Sequence, residues 1–339
     1  MIGEHARFVA CAAAGLCWLG GQPNRVGSLK VRGRALRIGE WEMLTFFTTA
    51  KPFVGHIGVI QRNAIRSWQR LHPDVEVILM GDDAGAAEAC AELGVRHIAE
   101  VRRNKYGTKY LADIYERAQG AARHGIVCHV NCDIILKADF LRAVERVAAR
   151  DRRFLMAGRR WDVDVTAAID FGAGDWEARV ERLAVETNRQ RPPQWIDYFV
   201  FSRGLYAGEV PAFVIGRPGW DNWLLWYPLS IGVPVVDASS VVRAVHQNHD
   251  YRYHPNGEKG VWEGEEAQEN YRLHYRKFAT LSNATYVLTA SGVRRNYKAK
   301  WIEAGRSALR GLYSAWFGVL NLTRPARHRL GIRKGVAER

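Results

Sequence analysis

Residues 126–136 read Ile-Val-Cys-His-Val-Asn-Cys-Asp-Ile-Ile-Leu. The first five are apolar and partly β-branched, the pattern of a strand buried on both faces of a parallel sheet. Asn131-Cys132-Asp133 follows at the strand's end, and a second apolar run, Ile134-Ile135-Leu136, follows at once. A carboxylate set between two apolar runs is expected to be partly buried, and a buried charge is costly unless it is paired or bound to metal. Two readings are open. Asp133 caps the next helix, or it holds a hard divalent cation shared with phosphate oxygens, since Mg²⁺ and Mn²⁺ are usually bound by one or two carboxylates plus substrate.

Around this stretch the chain alternates strands and helices. Met43–Thr49 is β-branched and aromatic and runs into Lys51-Pro52. A helical spacing over 57–71 stops at His72-Pro73, a strand spans 75–80 and stops at Gly81-Asp82-Asp83, and a short helix over 86–93 precedes a strand at 95–98. A helix over 110–124 leads into the 126–130 strand. Further on, 154–157 and 196–201 read as strands, and 222–231 as a helix leading to a strand at 233–237. Alternation at this pitch predicts βαβ units, hence an α/β, Rossmann-type, mostly parallel mixed sheet with helices on both faces. One domain over 41–292 is expected, preceded by a lead-in (1–40) and followed by a basic helical tail (293–339). In open α/β sheets the ligand crevice lies outside the carboxyl ends of the strands.

The composition agrees with this. The 339 residues are 47% hydrophobic and 25% charged, which excludes disordered, collagen-like and disulfide-stapled classes. Cys11, Cys17, Cys90, Cys128 and Cys132 are widely spread with no C-x-x-C pair, so a reducing, cytoplasmic setting is expected. No run reaches the ~18 apolar residues of a membrane span. Phe8–Gly21 comes nearest; it reads as a buried helix, a stretch upstream of the true start, or a signal-peptide core lacking a convincing cleavage site. The net charge of +14 sits at the ends, with +10 in residues 294–339 and +5 in 1–39, which leaves −1 for the centre. A near-neutral centre argues against a nucleic-acid groove.

The strand-end motifs carry a resemblance. Strand–Asn131-Cys132-Asp133–Ile-Ile-Leu resembles the D-x-D segment of metal-dependent, nucleotide-diphospho-sugar glycosyltransferases of the GT-A fold, with Asn in the first place. The resemblance extends to Asp197-Tyr-Phe-Val-Phe201, to Gly216-Arg-Pro-Gly-Trp-Asp-Asn-Trp223 and to Val245-His-Gln-Asn-His-Asp250, in that order over about residues 43–290. It implies a GT-A-like fold and transfer of a sugar from a UDP- or GDP-sugar, with Mn²⁺ or Mg²⁺, to a glycan or lipid-linked acceptor, in surface polysaccharide synthesis. It makes Asp133 the metal ligand and Asn131 a ribose or sugar contact. An amide cannot replace the missing carboxylate, so one more protein ligand is expected. His246 is the first choice and His249 the alternative.

Other roles follow the same crevice. Asp221 reads either as a helix N-cap or, by resemblance to inverting members, as the acid facing the acceptor hydroxyl and acting as general base. Thr49, Lys51 and Asp82 are expected around the base and ribose, and Asn104, Gly107 and Thr108 beside the nucleotide, with Gly107 allowing close backbone approach. Arg159, Asp162 and Asp197 are expected to line the sugar pocket, and Arg217 to offset diphosphate charge. His246, His249 and His254 also admit a zinc reading, although no Cys or Glu stands at a zinc spacing.

Trp301–Leu322 mixes aromatic and aliphatic residues with Arg306 and Arg310. It reads as an amphipathic helix on an anionic membrane surface, with peripheral attachment, as a helix packed on the domain, or as an RNA-binding tail. Two rival functions stay open: a sugar-phosphate nucleotidyltransferase, whose Gly-rich basic loop after the first strand is missing from 48–55, and a non-catalytic glycan-binding or membrane-scaffold protein.

Overall fold

A computed structural model describes residues 43–250 and 256–298. The lead-in over 1–40, His254 and the Trp301–Leu322 segment lie outside the described residues. Strands β1 (Leu44–Thr49), β2 (Glu76–Met80), β3 (Arg96–Ile98) and β4 (Ile126–Val130) alternate with helices α1 (Gly55–Gln69), α2 (Ala86–Leu93) and α3 (Leu111–Ala121). These are the expected units, with no end shifted by more than three residues. All three helices are amphipathic, so each buries one stripe and leaves the other to water.

The order across the sheet is β11-β10-β8-β6-β7-β4-β1-β2-β3, mixed but mostly parallel. Here β6 is Leu155–Val163, β7 Ile196–Ser202, β8 Val235–Asp237, β10 Tyr286–Thr289 and β11 Gly292–Arg295. The expected α/β architecture is the observed one. β11 runs across the domain end expected at residue 292. Period-2 alternation sorts the strand side chains onto two faces. Phe46, Val77, Leu79 and Cys128 pack with α1, α2 and α4 (Ala138–Ala148), whereas Phe47, Ile78, Met80 and Val127 pack with α3 and α6 (Trp220–Ser230). Phe46 stacks on Trp68 at 5.4 Å between ring centres. Each such fully buried side chain contributes about 1.5–3 kcal/mol.

Several elements depart from the sequence reading. β6 runs to Val163 rather than stopping at 157, because a register shift between Ala157 and Arg159 bends the strand. Its first half pairs with β7 and β8; its second half pairs in parallel with β9 (Ala244–Gln247), which pairs antiparallel with the two-residue β5 (Ile134–Ile135). This small β5–β9–β6 sheet rests on α5 (Trp176–Thr187) through Val163, Val245, Trp176 and Val180. Helices α7 (Gly257–Glu263) and α8 (Glu265–Leu273) close the described chain toward β10 and β11.

Residue 158, at the bend, tolerates no side chain: an ideal Cβ there would lie 2.1 Å from the Tyr198 hydroxyl oxygen. That hydroxyl is buried and makes no hydrogen bond. Gly158→Ala is therefore expected to destabilise the protein by about 1–3 kcal/mol through overpacking. In a denaturation series, Tyr198→Phe in the same chain should recover a large part of the loss, because it removes the clashing atom.

Candidate active site

The carboxyl ends of β1, β2 and β4 and the amino end of the antiparallel β7 open onto one cleft of about 1100 Å³, bounded on its other side by the start of α6 and by α7 and α8. The register of the small sheet assembles its centre. Asp133 directly precedes β5, Ile134 pairs with His246 on β9, and His246 pairs with Asp162 on β6. Helix α1 clamps this arrangement. The Trp68 indole donates to the Ile134 carbonyl at 2.8 Å, and Ser67 Oγ accepts from Leu136 N at 3.1 Å. The Gln247 amide donates to the carbonyls of Ile60 (2.8 Å) and Asp133 (3.2 Å).

Asp133, His246 and His249 each direct one ligand atom toward the others, all within 4.8 Å. Asp133 Oδ2 is 3.2 Å from His249 Nε2 and 3.9 Å from His246 Nε2, while the buried Oδ1 makes no hydrogen bond. Burial opposes ionisation of Asp133. The imidazoles of His246 and His249 and the Lys51 ammonium outweigh it and hold the carboxyl well below the usual range. Lys51 Nζ lies 2.7 Å from His249 Nε2 and 3.7 Å from Asp133 Oδ2, and burial lowers its pKa. Asp133 caps no helix, since α4 begins five residues later, after Lys137.

The donor set fits a divalent cation. It offers one carboxylate with a spare buried oxygen and two imidazole nitrogens, and three donors leave positions for phosphate oxygens. Asp162 Oδ1 stands 3.3 Å from His246 Nδ1, on the side of the ring away from Asp133. No hydrogen bond joins the two, so the carboxylate behind the ring acts on His246 through its charge.

Asp162 is thus not a wall of the sugar pocket. It is buried between Arg160 and Arg191, which with His246 hold its pKa down against burial. Arg159 is displaced too: the bend at 158 turns it to the Arg191 carbonyl and puts Arg160 in the cleft. Arg160 Nη1 donates to both oxygens of Asp197, at 3.1 and 3.0 Å. Asn131 Nδ2 donates to Asp197 Oδ1 at 2.6 Å.

Thr49, Lys51, Gly107, Thr108, Asn131, Asp133, Asp197, Arg217, Asp221 and His246 all line the cleft. Asp82 does not. Its side chain is 67% exposed and paired with Arg103; Asp83 faces the cleft instead, in an ion pair with the buried Lys109. Asn104 lies behind the wall, where its Oδ1 accepts from the backbone N–H groups of Tyr106 and Thr108 and so shapes the turn. Gly107 serves that turn through its φ of +82°, and its Cβ position faces open space. Arg217 is held by Glu266, its Nε 3.0 Å from Oε2, so its charge is largely committed within the protein.

Asp221 sits in the first turn of α6, whose N-cap is Gly219. The cap reading fails, and Asp221 is half-buried in the cleft wall. Desolvation, reinforced by the Asp197 carboxylate, raises its pKa to about 7 against the backbone N–H groups of the helix start. Residues absent from the sequence reading of the site are Asp83, Lys109, Trp195, Trp262, Glu265 and Glu266. Strand alternation would have coupled Trp195 to Asp197; nothing in the sequence signals that α7 and α8 return to the cleft.

The sequence matches no protein-family model and no curated protein. Among solved structures it is similar to glucosyl-3-phosphoglycerate synthase of Mycobacterium tuberculosis, at 16% identity over 70% of this chain and 81% of that one, with a TM-score of 0.43. A complex of that synthase with Mn²⁺, uridine diphosphate and glucosyl-3-phosphoglycerate matches at 17% identity, over 64% and 78% of the two chains, TM-score 0.39. A mycobacterial protein matches at 18%, over 61% and 68%, TM-score 0.37. At these values the functional reading rests on the side chains of this chain alone.

Titration calorimetry with Mn²⁺ checks the cation site. Asp133→Ala is expected to abolish measurable binding, and Asp162→Asn to weaken it about 10–100-fold by removing the charge behind His246. Asp82→Ala should leave it unchanged.

Proposed function

We propose that the chain is a metal-dependent glycosyltransferase of GT-A type that moves a sugar from a nucleotide-diphosphate donor to an acceptor hydroxyl. One observation carries this reading: an open three-donor cation site, Asp133–His246–His249, lies at the strand ends of the same cleft that holds a carboxyl with a pKa of about 7. Mn²⁺ or Mg²⁺ bound there would supply electrostatic stabilisation to the departing diphosphate. Lys51, beside the same donors, adds a protein cation on that side. Thr49, Gly107, Thr108 and Asn131 line the donor side, and UDP- or GDP-sugars are the donors to try first.

Asp221 accepts the proton of the attacking acceptor hydroxyl. A base is best tuned near the working pH, and a carboxyl raised to about 7 meets that condition where an ordinary one would be too weak. Asp197, clamped by Arg160 and Asn131, keeps a negative charge nearby that sustains the shift. The finer reading places the acceptor among glycans or lipid-linked sugars of surface polysaccharide synthesis and the basic tail on an anionic membrane. It is supported by the sequence of residues 294–339, and no described helix is long and apolar enough to cross a membrane.

Two outcomes test the proposal. Release of nucleoside diphosphate from a panel of nucleotide sugars should require Mn²⁺ or Mg²⁺ and vanish with EDTA or in Asp133→Ala; full turnover by that variant defeats it. Because the base form of Asp221 is deprotonated, kcat should fall about tenfold per unit below pH 7 and level off above it. Asp221→Asn should lose about 10²–10⁴-fold in kcat and with it the pH-dependent limb.

A further inference from the structure

Trp195 and Trp262 meet in the wall of the cleft. Trp195 immediately precedes β7, two residues before Asp197, and Trp262 lies near the end of α7. Their ring centres are 5.7 Å apart with planes inclined at 56°, and both line the cleft, half-buried. Trp195 is held in place by two guanidinium groups, Arg160 and Arg191, each 4.9 Å from its ring centre. Such an aromatic corner presents apolar surface at little conformational cost.

The charges in the cleft are balanced internally. Each cation among the described lining residues has a carboxylate beside it: Arg160 has Asp162 and Asp197, Arg217 has Glu266, Arg103 has Asp82, Lys109 has Asp83, and Lys51 has Asp133. Asp221 and Glu265 add further carboxylate oxygens to the wall. An anionic acceptor would therefore meet like charge and no uncommitted cation outside the metal cluster. Neutral hydroxyls would find hydrogen-bond acceptors.

Resting on the glycosyltransferase reading, we infer that Trp195 and Trp262 form an acceptor subsite for a neutral pyranose, which lays its apolar C–H face on the indoles and its hydroxyls toward Asp221 and Glu265. A pyranose ring has both an apolar face and a polar rim, and this wall supplies both complements side by side. A phosphorylated or carboxylated acceptor has no counterpart there.

The test uses the full chain with two independent readouts. Saturation-transfer NMR with neutral methyl glycosides and disaccharides needs no turnover; it should show contact through the C–H face in the wild type, lost in Trp262→Ala and kept in Trp262→Phe. In donor turnover with the best neutral acceptor, Trp262→Ala should raise the acceptor KM about tenfold while kcat holds, and Trp262→Phe should restore most of the loss. Trp195→Ala should act in the same direction. The subsite is overturned if folded wild-type protein shows no contact with any neutral pyranoside, or if phosphoglyceric acid or a sugar phosphate competes better than every neutral sugar. Absence of metal-dependent donor turnover, with NMR contact intact, would instead defeat the transferase reading and leave the sugar site standing.

Discussion

The Asp133 carboxylate is buried at a strand end, and the surrounding structure is arranged to make that tolerable. An unpaired carboxylate there would cost several kcal/mol. Compensation comes from three side chains on two distant segments: Lys51 after β1, and His246 and His249 from β9 and the loop beyond it. Their convergence requires the two-residue β5 to be in register with β9, and β9 with the second half of β6. Helix α1 enforces that register through Trp68 and Ser67, so the aromatic core and the charged centre share one scaffold. A one-residue slip of β9 would turn His246 to the opposite face and leave the carboxylate without its compensation.

The Asn at position 131 follows from the same electrostatics. Its amide donates to Asp197 at 2.6 Å; a carboxylate in its place would face Asp197 at that distance and repel it. The negative charge stands instead on Asp197, one strand over, where Arg160 binds it through both oxygens. Position 131 keeps the backbone hydrogen bond to Asp197 that ends the β4–β7 ladder. The pairing of β4 with β7 is what brings this amide and carboxylate together.

What could be read from the sequence follows from how local each signal is. β1 to β4 and α1 to α3 were legible because each is a run of five or more residues with a clear period or a short stretch closed by Gly or Pro, and Asp133 was legible because two apolar runs enclose it. Asp82 and Asp83 could not be told apart: adjacent residues at a turn differ only in direction, and Lys109, 26 positions on, draws in Asp83. Arg159 and Arg160 could not be told apart either, since the register shift between Ala157 and Arg159 that sets their directions has no signal in the sequence. Asp162 reads as an ordinary strand-end acid until the β6–β9 register sets it behind His246.

The two sides of the cleft are built to different standards of rigidity. Strand ends fix the cation donors, where displacements of a few tenths of an ångström matter to coordination. Helices α7 and α8 form the opposite wall and reach it through side chains. Glu266 bonds Asn104 and Arg217, the Tyr106 hydroxyl donates to Glu265, and Asn270 bridges the backbone of Val214 and Pro218. Each such tie contributes about 0.5–1.5 kcal/mol, or somewhat more where charge is involved. Losing one would shift the wall without touching the β5–β9–β6 register. Acceptor recognition can therefore vary by substitution in 257–273 while the cation centre stays fixed, as loops and terminal helices commonly diversify binding on a conserved sheet.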